Sequence, residues 1–126
     1  MSTAGITGIR QVAVNVKDLE RAKAFYRDTL GLEFLFDAPP GMSFFDANGI
    51  RILLGAAEKP EQDHPASLIY YLVKDINASH QALVAKGVHV AGEPHLVAPM
   101  PDHDLWLAIY RDSEENMFGL MSEVPR

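Results

Sequence analysis

The chain runs through one supersecondary pattern twice, and that repetition constrains its fold more than any other feature. The stretch "GIRQVAVNVKD" (8–18) leads into an amphipathic run that stops at Leu30-Gly31-Leu32. "SLIYYLVKDINASHQALVAKGVHV" (67–90) goes through the same steps, with Val16-Lys17-Asp18 matching Val73-Lys74-Asp75 and Leu30-Gly31-Leu32 matching Lys86-Gly87-Val88. In each copy, alternating apolar residues read as a half-buried strand, Asp18 or Asp75 as a helix N-cap, and the glycine as a left-handed C-cap.

The first helix is expected over 19–30, with Leu19, Ala22, Phe25, Tyr26, Thr29 and Leu30 on one side and Glu20, Arg21, Lys23 and Arg27 opposite. A strand follows at 32–36, then a turn at Pro39-Pro40-Gly41. Met42 to Ala47 and Ile50 to Leu54 read as a hairpin across Asn48-Gly49, the dipeptide best suited to a tight type I′ turn. In the second copy the helix turns Ile76, His80, Leu83 and Val84 inward, and strands are expected at about 88–97, 105–111 and 117–121. Residues 57–66, polar and interrupted by proline, read as a linker. The 126 residues therefore form one domain of two βαβββ modules, at about 7–56 and 67–123.

A four-stranded sheet with one helix has only one face covered, so the other must meet something. The expected class is α+β, with tandem modules forming a curved sheet that encloses a cup-shaped cavity. Gln11, on the face opposite Val12, Val14 and Val16, looks into it. Period-two alternation extends this lining to Met42, Phe44, Arg51 and Leu53 in the first module. In the second it reaches Leu68, Tyr70 and Leu72, then Trp106, Ala108 and Tyr110, then Met117, Gly119 and Met121. Such an apolar, aromatic surface with a few polar tips suits a small, largely apolar or planar ligand, plain core being the other reading of the aromatic stripe. Arg51, in a short apolar strand, is either a snorkelling edge residue or an anchor for a carboxylate or phosphate.

Other chemistry is narrowed by composition. There is no cysteine, which excludes disulfides, thiolate nucleophiles and cysteine zinc sites. Seventeen acidic against eleven basic side chains give a net charge of -6 without a basic cluster, which argues against a nucleic-acid partner. The N-terminal MSTAGITG has no basic region leading into an apolar one, and no apolar run approaches the roughly 20 residues that span a bilayer. A cytoplasmic protein without a membrane partner is the expectation. Of the five histidines, His64, His80 and His89 stand singly. His95 and His103, with Glu93, Asp102 and Asp104, flank what reads as a Pro-rich connection over 93–106. That group is either a surface loop or the makings of an atypical ion site, and His103 is the best candidate for a general acid or base, with Tyr110 beside it.

The run Val14-Asn-Val-Lys-Asp-Leu-Glu-Arg-Ala-Lys-Ala-Phe-Tyr-Arg-Asp-Thr-Leu-Gly-Leu32 resembles the vicinal oxygen chelate superfamily, which includes glyoxalase I, extradiol dioxygenases and the bleomycin resistance proteins. Arg111 to Leu120, "RDSEENMFGL", is similar to that superfamily's second-module "DPxGNxxEL". The resemblance implies a divalent metal in the cup, held by one residue from the first and one from the last strand of each module. It places the ligand positions at Gln11, at Leu53 (or Ile52 with the register slipped by one), at Leu68 and at Gly119. Only Gln11 is a permitted donor, so no metal cofactor is expected.

Three readings follow. The first is a metal-free protein that binds a small apolar or aromatic molecule through Gln11, Phe44, Arg51, Leu53, Leu68, Tyr70, Trp106 and Gly119, similar to the bleomycin resistance proteins. The second is an enzyme: a lyase, isomerase or extradiol dioxygenase with an atypical metal site, or an acid–base catalyst using His103 and Tyr110. The third is a structural or regulatory module with a filled cup. The resemblance further implies a homodimer.

Overall fold

A computed structural model describes residues 4–56 and 67–125. The expected linker, with His64, lies outside the described residues. The chain divides into two compact units, 1–64 and 65–126, and each repeats the β-α-β-β-β order.

In the first unit, β1 (Gln11–Asn15), β2 (Glu33–Ala38), β3 (Met42–Ala47) and β4 (Ile50–Gly55) form a sheet in the order β1-β4-β3-β2, with β1 parallel to β4 and the remaining neighbours antiparallel. Helix α1 (Leu19–Ala24) starts where the Asp18 carboxylate accepts the Arg21 N–H at 3.1 Å. It then widens into a π-helical turn over Phe25–Thr29, closed by the Leu30 N–H donating to Phe25 O at 2.9 Å. Gly31 follows at φ 76°, the left-handed conformation that a C-cap needs. The helix covers a core of Val14, Phe45, Ile52 and Leu54, each at most 2 % exposed, and contributes Ala22 and Tyr26 to it. Burying each of the larger side chains is worth roughly 1.5–3 kcal/mol. The turn between β3 and β4 holds Asn48 at φ 53° and Gly49 at φ 96°, the pair of positive φ values a type I′ turn requires.

The second unit has β5 (Ile69–Leu72), α2 (Ile76–Ala85), β6 (His89–Pro99), β7 (His103–Arg111) and β8 (Met117–Pro125), with sheet order β5-β8-β7-β6. Asp75 caps α2 by accepting the Asn77 and Ala78 N–H groups, both at 3.1 Å. Ile76 and Leu83 are buried as expected, but Val84 is 48 % exposed. It stands about 100° around the helix from Leu83, off the stripe that faces the sheet.

The last three strands run further than their apolar patterns predict. The segment 93–106 is not a connection: β6 continues to Pro99, β7 begins at His103, and the Met100 N–H closes the tight turn on His103 O at 2.7 Å. Shifts of register within β6 absorb residues that break strict alternation. Among the described residues no helix is long and apolar enough to cross a membrane.

Under α1, Asp37 ties the sheet to the helix. Its carboxylate accepts from Lys23 Nζ at 2.8 Å and from the buried Ser43 Oγ at 2.6 Å. These two hydrogen bonds, that of Lys23 first, hold the Asp37 carboxyl below its ordinary value of 3.8. A depressed carboxyl stabilises the fold above its ordinary value and loses that contribution as pH falls through the lowered one. Asp37→Asn is therefore expected to flatten the fall of stability below about pH 4, read by urea denaturation at stepped pH. Identical acid limbs for the variant and the parent would exclude Asp37 as a contributor.

Candidate functional site

Residues paired across a ladder share a sheet face, so the strand registers decide which side chains can meet a ligand. In the first unit β1 pairs Gln11 with Arg51 and Ala13 with Leu53, and β3 pairs Phe44 with Leu53 and Asp46 with Arg51. Gln11, Arg51, Leu53, Phe44 and Met42 therefore lie on the face that α1 does not cover, as the alternation implies. Ile52 is on the helix side and 2 % exposed, so the ligand-position register falls on Leu53. Phe36 lies across Phe44, with ring centroids 4.8 Å apart, and shields it to 9 % exposure while remaining 46 % exposed itself. Arg51 Nε is buried and has no hydrogen-bond partner among the described residues.

In the second unit β5 pairs Tyr70 with Gly119 and Leu72 with Met121, while β7 pairs Ile109 with Gly119 and Leu107 with Met121. The uncovered face thus carries Tyr70, Leu72, Gly119, Met121, Leu107 and Ile109, with Leu68 just ahead of β5 in the same phase. The expectation for Trp106, Ala108 and Tyr110 is corrected: they alternate with Leu107 and Ile109 and lie on the helix side. Tyr110 is 0 % exposed, stacks on Phe118 at 5.5 Å, and shares a 2.7 Å hydrogen bond with His80 Nδ1 of α2. His80 Nε2 lies 3.0 Å from Glu93 Oε1. Burial first, then the Glu93 charge, pushes the Tyr110 hydroxyl up to about 12. With no exposure and its hydroxyl committed, Tyr110 is core and drops out as a catalytic candidate. Leu107 and Ile109 are the lining residues that the sequence pattern missed; they sit in an unbroken apolar run, "LWLAI", whose phase the sequence alone leaves open.

Tyr70 and Gly119 are placed against each other. A Cβ built on Gly119 would fall 2.6 Å from Tyr70 Cε1 and 3.2 Å from Ala108 O, so the ring occupies the space a side chain at 119 would need. Of the four implied ligand positions, Leu53 and Leu68 are apolar, Gly119 lies beneath a tyrosine ring, and Gln11 alone offers a donor. This set does not fit a divalent ion, which needs several hard donors converging on one point. No group of three or more His, Asp or Glu residues among the described residues could hold one either.

His95 and His103 are not brought together. His95 pairs with Leu107, four residues along β7 from His103 and so about 13 Å away. His95 Nδ1 bonds Glu93 O at 2.9 Å, and the Glu93 carboxylate turns to His80 instead. His103 lies on the uncovered side, in phase with Leu105 and Leu107, with Nδ1 2.6 Å from Asp102 Oδ1 and Nε2 3.8 Å from Glu123 Oε2. The hydrogen bond with His103 holds the Asp102 carboxyl below its ordinary range. Asp104 pairs with Pro99 and Val124 and so lies on the opposite face of the sheet.

A family model described as the glyoxalase/bleomycin resistance protein/dioxygenase superfamily matches residues 8–118. No curated protein matches the chain significantly in sequence. Among solved structures, a superfamily member from Sphaerobacter thermophilus is 24% identical, with a TM-score of 0.77 over 94% of this chain and 98% of its own. TnmS3, an antibiotic-binding protein from Streptomyces, is 26% identical, with a TM-score of 0.75 over 98% of this chain and 100% of its own. A lactoylglutathione lyase from Agrobacterium tumefaciens shares the fold at 20% identity, with a TM-score of 0.72 over 93% of this chain and 94% of its own.

Proposed function

The chain belongs to the glyoxalase/bleomycin resistance protein/dioxygenase superfamily, and from that premise we propose that it binds a small, largely apolar or aromatic molecule on its uncovered sheet faces without a metal. The observation that carries this reading is the donor set: Leu53, Leu68 and a glycine beneath the Tyr70 ring stand where a metal would need oxygen or nitrogen ligands. The same faces offer apolar surface to a ligand, with Phe36 46 %, Leu68 42 % and Tyr70 40 % exposed. The likeness to an antibiotic-binding protein supports a binding role. A homodimer in the cytoplasm is part of the same proposal.

The test is titration calorimetry of the purified protein with neutral planar aromatics such as 2-naphthamide, before and after EDTA, alongside elemental analysis. Saturable binding that survives EDTA is the expected result. Stoichiometric divalent metal whose removal abolishes binding would overturn the proposal.

One observation favours a second reading, acid–base catalysis: the short Asp102–His103 contact on the uncovered side, where the His103 side chain keeps 21% exposure. A carboxylate on Nδ1 leaves Nε2 as the group able to exchange a proton. Turnover of a bound compound that disappears in His103→Ala would support this reading, and its persistence would remove it.

A further inference from the structure

Arg51 stands on the first unit's uncovered face, near the hairpin end of the inner strand β4 and between two polar neighbours that do not neutralise it. Asp46 is its register partner on β3, yet its carboxylate is committed to the hairpin turn, accepting the Gly49 N–H at 3.0 Å. Among the described residues no acid forms an ion pair with Arg51. Its Nε is out of contact with water and lacks an acceptor among the described residues, while the residue as a whole remains partly exposed. A guanidinium with an unmet buried donor is in an unfavourable state, and an anionic acceptor relieves it when the partly exposed side chain turns its side-on fork of Nε and Nη outward to a carboxylate, forming two parallel hydrogen bonds.

The surroundings determine the direction of approach. Asp46 and, beyond it, Glu33 on β2 occupy one side of Arg51 and repel an anion there. On the other side lies Gln11, the register partner on the sheet-edge strand β1, exposed and able to donate two amide N–H bonds. Next to that pair, Ala13, Leu53 and the exposed Phe36 ring that lies over Phe44 offer apolar surface. We infer that the first unit's sheet face takes a small aromatic carboxylate, its carboxylate clamped by Arg51 and Gln11 and its ring over Ala13, Leu53 and Phe36. This gives the glutamine a role different from metal ligation: its amide supplies a donor for an anion. The inference rests on the small-molecule reading above and adds the ligand's charge and its place.

The test compares 2-naphthoate with its neutral analogue 2-naphthamide by titration calorimetry, on the parent, Arg51→Gln, Arg51→Lys and Gln11→Leu, with circular dichroism as the folding control. The carboxylate is expected to bind at least tenfold more tightly than the amide. Arg51→Gln should erase that preference, Arg51→Lys should retain part of it, and Gln11→Leu should reduce it. The Arg51 Nε–H resonance should shift on adding naphthoate and stay in place on adding the amide. Equal affinity of the parent for acid and amide overturns the clamp and leaves the small-molecule reading standing, as does a preference undiminished in Arg51→Gln. No binding of either compound overturns both.

Discussion

Tyr110→Ala is expected to cost about 3–5 kcal/mol, the range for removing a buried aromatic, and to lower the melting temperature by roughly 10–20 °C. Tyr110 is fully buried, stacks on Phe118, and meets the His80 ring of α2, so its loss opens a cavity between helix and sheet. Tyr110→Phe keeps the stack and removes only the hydroxyl, leaving His80 Nδ1 without its 2.7 Å partner. It should cost about 1–2 kcal/mol, since one buried group loses its acceptor or donor. Urea denaturation followed by circular dichroism measures both. A Tyr110→Ala protein as stable as the parent would mean that the side chain is not core, and would return it to the list of reactive candidates.

The second large effect is at Gly119. Gly119→Glu must place a side chain where the Tyr70 ring lies and close to Ala108 O, so it is expected to lose about 1–3 kcal/mol, the usual penalty for overpacking. Tyr70 is 40 % exposed and can swing away, whereas the β7 backbone cannot. Tyr70→Ala should accordingly recover part of the loss, and the double-mutant cycle should show a coupling of about 0.5–3 kcal/mol. Additive effects would mean that the backbone contact alone carries the penalty. Because Leu53 and Leu68 remain apolar, the substitution supplies only a second donor beside Gln11, and elemental analysis should still find no stoichiometric metal.

These two sites differ in how far they could be read in advance. Gly119 was identifiable through resemblance as a ligand position without a ligand, but the ring above it depends on the pairing of β5 with β8, a contact between strands nearly fifty residues apart. Tyr110 was misplaced because of one loop. The β7–β8 turn uses five residues, 112–116, between the Arg111–Met117 pair and closes on itself: the Asp112 N–H donates to Asn116 O at 2.8 Å, the Asp112 carboxylate accepts the Glu114 and Asn116 N–H groups, and Glu115 takes φ 67°. A loop one residue shorter or longer would have reversed the phase of β7 relative to β8. Nothing in "RDSEENM" announces five rather than four, and "LWLAI" is apolar on both faces, so alternation could not arbitrate.

The first module shows the opposite case. Asn48-Gly49 demands a two-residue turn, which fixes Ala47 opposite Ile50 and carries Phe44, Leu53 and Arg51 onto a common face. The sequence by itself therefore determined the α+β modules, their Asp caps and glycine stops, the hairpin register of the first unit, and the apolar residues at three of four expected ligand positions, because each follows from local backbone chemistry or from residue identity. Only the tertiary structure decided that Trp106 and Tyr110 turn to the helix, that 93–106 is a hairpin, that Tyr70 covers Gly119, and that Arg51 Nε has no acceptor among the described residues. Each of these depends on strand pairing, loop length or side-chain placement that no local motif specifies, and a change of register by one residue moves a side chain to the other face without altering a letter of the pattern.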